Sequence, residues 1–258
     1  MDLEKPSAAR LYDYLIGGAH NFAADRDLAQ EFLTALPSAR DVARLNRAFL
    51  RRAVVFLAQR GIRQFLDIGS GIPTVGNVHD IAQDKDPQAR VIYVDYEAVA
   101  VSHSQLILAG NEAATIIQAD MLDPAAILEH PETRRMLDFS RPIGLIMAGV
   151  FHFVPLDADA PAIIARYRDA LAPGSHLALS HFTADISPEE MSRVVSVMKR
   201  SADPVHPRTH GQVLELFRGF DLVDPGVVGT ALWHPEDATQ APHEPGGSQI
   251  YAGVGRLR

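Results

Sequence analysis

The residues of this 258-residue chain that could do chemistry stand at the ends of short apolar runs. Phe65-Leu66-Asp67-Ile68-Gly69-Ser70-Gly71 reads as a strand that runs into a tight turn. Gly69 and Gly71, with Ser70 between them, let the backbone approach a ligand closely. A dinucleotide fingerprint would continue G-x-G-x-x-G, but Thr74 stands where the third glycine belongs, which argues against NAD. Asp67 puts a carboxylate at the strand end, where a ligand ammonium finds a partner and a pyrophosphate is repelled. The next run ends in Val94-Asp95-Tyr96. There Asp95 can accept two hydrogen bonds from a ribose diol and Tyr96 can cover an adenine. The third ends in Ala119-Asp120-Met121, where Asp120 can accept from an exocyclic amine and Met121 offers its backbone and an apolar wall. Three acids at three successive strand ends match one adenosine bearing a cationic amino-acid tail.

His152 lies just past a fourth run, at the carboxyl edge where open α/β sheets bind ligands. Phe151 and Phe153 flank it with an apolar wall, and a neutral imidazole there can take a proton from an acceptor hydroxyl or amine. His181 ends the fifth run in the same way. His206 and His210 have the spacing of a shared helical face, but Pro207 between them breaks it, so no metal site is expected.

The elements that must position these residues follow from periodicity. Strands buried on both faces are predicted at Gln64–Ile68, Val91–Asp95, Thr115–Gln118, Ile143–Val150 and His176–Ser180. Helix-like stretches lie between them around Val75–Ala82, Ala98–Leu108, Ala125–Leu137 and Pro161–Ala172, and the alternation implies a parallel sheet with right-handed crossovers. Ahead of the sheet, Asp25 to Gly61 reads as two helices. Ser187-Pro188-Glu189-Glu190 and Thr209-His210-Gly211-Gln212 have the form of capping boxes. Asp221–Val228 and Gln249–Val254 read as a terminal antiparallel pair joined by a loop from about Trp233 to Ser248. Residues 1–61 form a helical cap of the same domain and residues 62–258 the core, since no linker or repeat separates them.

On these residues the chain resembles the class I S-adenosylmethionine (SAM)-dependent methyltransferases, whose acid-x-Gly-x-Gly turn, strand-two acid and strand-three aspartate match Asp67/Gly69/Gly71, Asp95 and Asp120. It is most similar to an actinobacterial branch catalogued as a domain of unknown function. The features shared with that branch are Arg10-Leu11-Tyr12-Asp13-Tyr14-Leu15-Ile16-Gly17-Gly18, Asn21-Phe22, Asn46-Arg47, the turn through Thr74, and Val150 to Pro155. The resemblance implies an α/β fold: a Rossmann-like seven-stranded, mostly parallel sheet of order 3-2-1-4-5-7-6, with strand seven antiparallel. It implies SAM as cofactor and S-adenosylhomocysteine as product. Tyr14, Gly17, Gly18 and Asn21 fall on no amphipathic stripe and are read as a lid over the cofactor's methionine end.

Composition narrows the chemistry. The absence of cysteine excludes disulfides, thiolate metal sites, radical SAM clusters and the cysteine-adduct route to C5-methylpyrimidines. Lys and Arg number 24 against 32 Asp and Glu, a net charge of -8 that repels polyanions, so nucleic acid is not the expected partner. Strand four also lacks the Asn/Asp-Pro-Pro-aromatic motif of amino-nucleobase methylation. Met1 to Lys5 has no export-signal character and no apolar run spans a membrane, so a cytoplasmic location is expected. The expected activity is in-line methyl transfer to a small-molecule acceptor. The alternatives are a SAM-binding sensor without turnover, or another SAM-consuming reaction.

Overall fold

A computed structural model of the chain describes residues 4–72, 76–236 and 249–258. Thr74, the start of the helix expected at Val75 and most of the loop before Ser248 lie outside them. Three helices come first: α1 (Ala8–Leu15), α2 (Ala23–Ala35) and α3 (Ala39–Gln59). Ser7 caps α1 by accepting from the Arg10 backbone N–H. The sheet and its crossovers follow as β1 (Gln64–Ile68), α4 (Val78–Lys85), β2 (Arg90–Asp95), α5 (Ala98–Ile107) and β3 (Ala114–Gln118). The stretch expected as one helix over Ala125–Leu137 is instead α6 (Pro124–Leu128) and α7 (Pro131–Met136). Pro131 has no N–H to continue a helix but suits the first turn of a new one.

Then come β4 (Gly144–Ala148), a single 3₁₀ turn at Phe151–Phe153, α8 (Ala160–Arg168) and β5 (His176–Phe182). The last helices are α9 (Pro188–Met198) and α10 (His210–Glu215). The Thr209–Gln212 capping box forms as expected. The Ser187 hydroxyl makes no capping bond; the Glu190 carboxylate instead accepts from Gln249 Nε2 at 3.1 Å, a tertiary contact in place of the local one. The strand expected over Asp221–Val228 is interrupted around Pro225, leaving β6 (Asp221–Leu222) and β7 (Val228–Gly229), both antiparallel to β8 (Ile250–Arg256).

The sheet order is β3-β2-β1-β4-β5-β8-β6, with β7 also on β8. This is the expected order, β8 being the strand counted as seventh, and the added strand is the short β7. β1 to β5 are parallel and β8 runs against β5 from Phe182↔Ile250 to His176↔Arg256. Side chains alternate between two apolar layers: Leu66, Ile68, Leu145 and Met147 face one, Phe65, Tyr93, Ile146 and Trp233 the other. A third core lies outside the sheet, where Leu11, Phe32 and Leu36 of the N-terminal helices meet Met191 and Val194 of α9. Among the described residues, no helix is long and apolar enough to cross a membrane.

One buried cation ties this cap together. Arg10 is 2% exposed, and its Nε donates to Asp25 at 2.8 Å, its Nη1 to Glu97 at 2.7 Å and its Nη2 to the Lys5 carbonyl at 2.7 Å. Asp25, wholly buried, also accepts from the backbone N–H groups of Ser7 and Phe22. Removing one partner of a buried ion pair strands the other charge, at a cost of about 3–5 kcal/mol. Arg10→Ala is therefore expected to lower the free energy of urea unfolding by about 3 kcal/mol, and an unchanged urea midpoint would refute the role given to this pair.

Candidate functional site

Because β1 to β5 are parallel, their C-terminal ends lie along one edge, and the order reverses between β1 and β4, which opens a crevice there. A cavity of about 360 Å³ occupies that place, roofed by α1 to α3 and by the segment after α9. Asp67, Gly69, Ser70, Gly71, Asp95, Tyr96, Asp120, Met121 and His152 all stand on its wall. The structure thus brings together, in one cavity, four of the five strand ends singled out in the sequence.

The glycine turn is pinned to β2. The N–H groups of Gly69 and Ser70 donate to the Val94 carbonyl at 2.8 and 3.1 Å, and the Gly71 N–H donates to Asp95 Oδ2 at 2.7 Å. Gly69 has φ +67°, and a Cβ there would stand 2.1 Å from Val150 Cγ2, so the chain leaving β1 touches the chain leaving β4. The Ser70 hydroxyl is buried with no partner among the described residues. Asp95 also accepts from the Glu97 N–H at 2.9 Å, which orients its carboxylate across the strand end.

Two of the acids are costly as they stand. Burial raises the Asp67 pKa to about 7, with Arg47 opposing the shift and Asp95 adding to it. Burial likewise raises Asp95 to about 6, against the two backbone N–H donors. A cation delivered to this end would offset the desolvation. Asp120 is exposed and makes a local turn, accepting from the Leu122 N–H at 2.9 Å, while the Met121 carbonyl accepts from the Tyr167 hydroxyl at 2.8 Å. Tyr96, 51% exposed, donates its hydroxyl to Asp203, and Asp203 accepts from the Ala8 N–H at 2.7 Å, so this ring also fastens the cap.

Tyr14, Gly17, Gly18 and Asn21 do not come to the cavity. The Tyr14 hydroxyl accepts from Gln30 at 2.6 Å, and Arg40 lies 5.2 Å from its ring centroid. Gly17 turns the chain just past α1, with φ +86° and its N–H donating to the Tyr14 carbonyl at 3.1 Å, and Gly18 and Asn21 pack around buried Asp13. Asn21 donates to its carboxylate at 2.9 Å, the His20 N–H at 2.8 Å, and a Cβ on Gly18 would stand 1.9 Å from its Oδ1. The α1 residues that line the cavity are Ala8, Ala9, Leu11, Tyr12 and Leu15. The residues missed by sequence reasoning as site members are Tyr12, Asn46, Arg47, Glu97 and Asp203. Asn46 carried a signal: it is a polar residue on the buried stripe of α3 with Val42, Phe49 and Ala53.

His152 is buried on the wall, its ring centroid 4.3 Å from that of Phe153 and 4.6 Å from that of Phe182. Desolvation, with His181, Arg208 and His206 adding to it, holds its pKa well below the usual value. His181 lies off the cavity. Its Nε2 accepts from Arg208 at 2.9 Å, its Nδ1 donates to the Phe182 carbonyl at 2.7 Å, and burial lowers its pKa to about 3.

A mostly parallel sheet with an acid-and-glycine turn on β1 and further acids beyond β2 and β3 defines a Rossmann-like methyltransferase fold. The model of the S-adenosyl methyltransferase family (Methyltransf_19) matches residues 1–258, and the chain belongs to that family. It is 40% identical to a DUF574 family protein from Streptomyces avermitilis, with a TM-score of 0.95 over 100% of this chain and 99% of that one. It is also 40% identical to a presumed methyltransferase from Thermobifida fusca, with a TM-score of 0.94 over 100% of this chain and 97% of the other. At 19% identity and a TM-score of 0.52, covering 92% of this chain and 91% of that one, a Burkholderia thailandensis N1-methyltransferase holding S-adenosylhomocysteine shares the fold. No curated protein matches the chain. Family membership makes SAM the cofactor and S-adenosylhomocysteine its product.

Two outcomes are expected. Gly69→Ala adds a clash to left-handed strain, whereas Gly71→Ala, with φ +66° and open space, adds strain alone, about 1–2 kcal/mol. Thermal denaturation should show the larger loss for Gly69→Ala. An acid whose folded pKa lies above its unfolded one binds an extra proton in the native state, so it lowers stability as pH rises from about 4 to about 7. Asp67→Asn is therefore expected to raise the melting temperature of the ligand-free protein at pH 8, and the gain should shrink toward pH 4.

Proposed function

We propose that the protein transfers a methyl group from SAM to a small-molecule acceptor, the cofactor lying at the acidic end of the cavity and the acceptor under the cap beside His152. The observation that carries this reading is the continuity of the two ends within one cavity, with Asp67, Gly71 and Asp95 at one and His152 with Phe153 at the other. SAM supplies an electrophilic methyl: the acceptor's lone pair forms the new bond to that carbon, and the carbon–sulfur electron pair leaves on S-adenosylhomocysteine.

The chain's own groups suit the cofactor. Asp67 faces its ammonium and Arg47, close enough to oppose the Asp67 shift, its carboxylate. Asp95 receives the ribose diol, Asp120 the adenine amine, and Tyr96 and Met121 flank the base. Transfer needs chiefly alignment. His152, held neutral by burial, takes the acceptor's proton where the acceptor must lose one.

Calorimetric titration with SAM, S-adenosylhomocysteine and, as a control, NADPH tests the cofactor assignment. Micromolar binding of the first two alone is expected, with at least tenfold loss in Asp67→Ala and Asp95→Ala; wild-type affinity in both variants would sink the site. Incubation with SAM and cell extract should release S-adenosylhomocysteine, whereas tight binding without it would leave a sensor. Because a bound ammonium favours ionised Asp67, SAM affinity should fall by up to about tenfold per pH unit below pH 7, and Asp67→Asn should flatten that slope.

A further inference from the structure

The acceptor end of the cavity differs from the cofactor end in having almost no charge. Its walls are Leu15, Phe32, Leu36 and Val42 from the cap, with Met198 at the end of α9 and Val205 beyond it. The polar groups beside them are already engaged. The Tyr12 hydroxyl donates to the Ala43 carbonyl at 3.0 Å, and Asn46 Oδ1 accepts from the Ser180 hydroxyl at 2.6 Å. Asp203, the acid of this region, is held by the Ala8 N–H and the Tyr96 hydroxyl. A carboxylate placed here would give up its hydration beside a like charge, and an ammonium would find only an acid whose oxygens two donors already hold.

His152 breaks this apolar surface between the rings of Phe153 and Phe182, and its Nδ1 is buried without a partner among the described residues. Among the described residues, no carboxylate hydrogen-bonds that nitrogen to support an imidazolium. The nearby cation is Arg208, buried off the cavity wall and donating to the carbonyls of Phe151, Val154 and Pro155 and to His181. An imidazole in this setting is a weak base, matched to a proton that leaves readily. An aromatic hydroxyl has such a proton, and its ring can meet the two phenylalanines edge-on or offset.

We infer that the acceptor is an uncharged, apolar molecule that presents an aromatic hydroxyl to His152. The inference rests on the methyltransferase reading and names its substrate class. The hydroxyl proton passes to the imidazole, and the oxygen lone pair bonds the methyl carbon as sulfur departs with its electron pair in S-adenosylhomocysteine.

The test is calorimetry on protein saturated with S-adenosylhomocysteine, with three probes that share one ring system: 1-naphthol, 1-naphthoate and 1-naphthylmethylamine. Naphthol is expected to bind at least tenfold more tightly than either charged analogue, and Phe182→Leu to weaken it at least fivefold while S-adenosylhomocysteine binding is unchanged. With SAM, 1-methoxynaphthalene should form, and His152→Gln should slow its formation about a hundredfold with naphthol affinity kept within threefold. A charged analogue that binds as well as naphthol, or a loaded protein that binds none of the three, overturns the inference and leaves the methyltransferase reading standing. Failure to load with S-adenosylhomocysteine overturns that reading itself.

Discussion

A guanidinium withdrawn from water is tolerable only where acceptors converge on it, and for Arg10 those acceptors come from three separate parts of the chain. Asp25 belongs to α2, Lys5 to the segment before α1, and Glu97 to the turn that follows β2. The Glu97 N–H donates to Asp95, and Asp95 accepts from Gly71. A continuous polar chain therefore runs from the middle of the cap to the glycine turn. The roof of the cavity and the floor of its cofactor end are parts of one hydrogen-bonded system, so a ligand that touches Asp95 acts on the seat of the cap as well.

The same desolvation that makes Arg10 a fastener makes the acids of the floor expensive. Asp67 is raised to about 7 and Asp95 to about 6 because the cap and sheet exclude water from them. Arg10 finds its counter-charges within the fold, whereas Asp67 has only the partial relief of Arg47. On the proposed reading this is preorganisation: the cost of burying the carboxylate is met on folding and would be recovered by a ligand ammonium.

Much of this was legible in the sequence because it is governed by local rules. Runs buried on both faces gave the five parallel strands, and acids placed at the ends of parallel strands had to share one edge. Pro131 and Pro225 show where local reading fell short: each cuts an apolar pattern that looked continuous. The cap illustrates a different limit. Arg10 to Gly18 is an element that covers the cavity, but α-helical residues two apart point about 200° away from each other. Tyr12 faces the cavity and Tyr14 the solvent side of α2, and only tertiary packing decides which. Gly18 and Asn21 answer to Asp13, a buried acid of α1 that no apolar stripe reveals.

The histidines show why the type of a residue at a strand end does not settle its task. His152 follows β4 and His181 lies near the end of the neighbouring parallel strand β5, and their rings lie 5.7 Å apart. Arg208 separates their fates. By binding His181 Nε2 it engages that ring, and by binding the carbonyls of Phe151, Val154 and Pro155 it fixes the turn that carries His152 while leaving the His152 ring free. Arg208 itself comes from a segment remote in sequence, just before α10, and its four acceptors are all neutral, so it contributes position together with a field that opposes protonation of His152. For an in-line displacement, in which geometry supplies most of the acceleration, that combination suits the reaction: the wall residue is rigidly placed and kept neutral, and the burden of nucleophilicity falls on the acceptor.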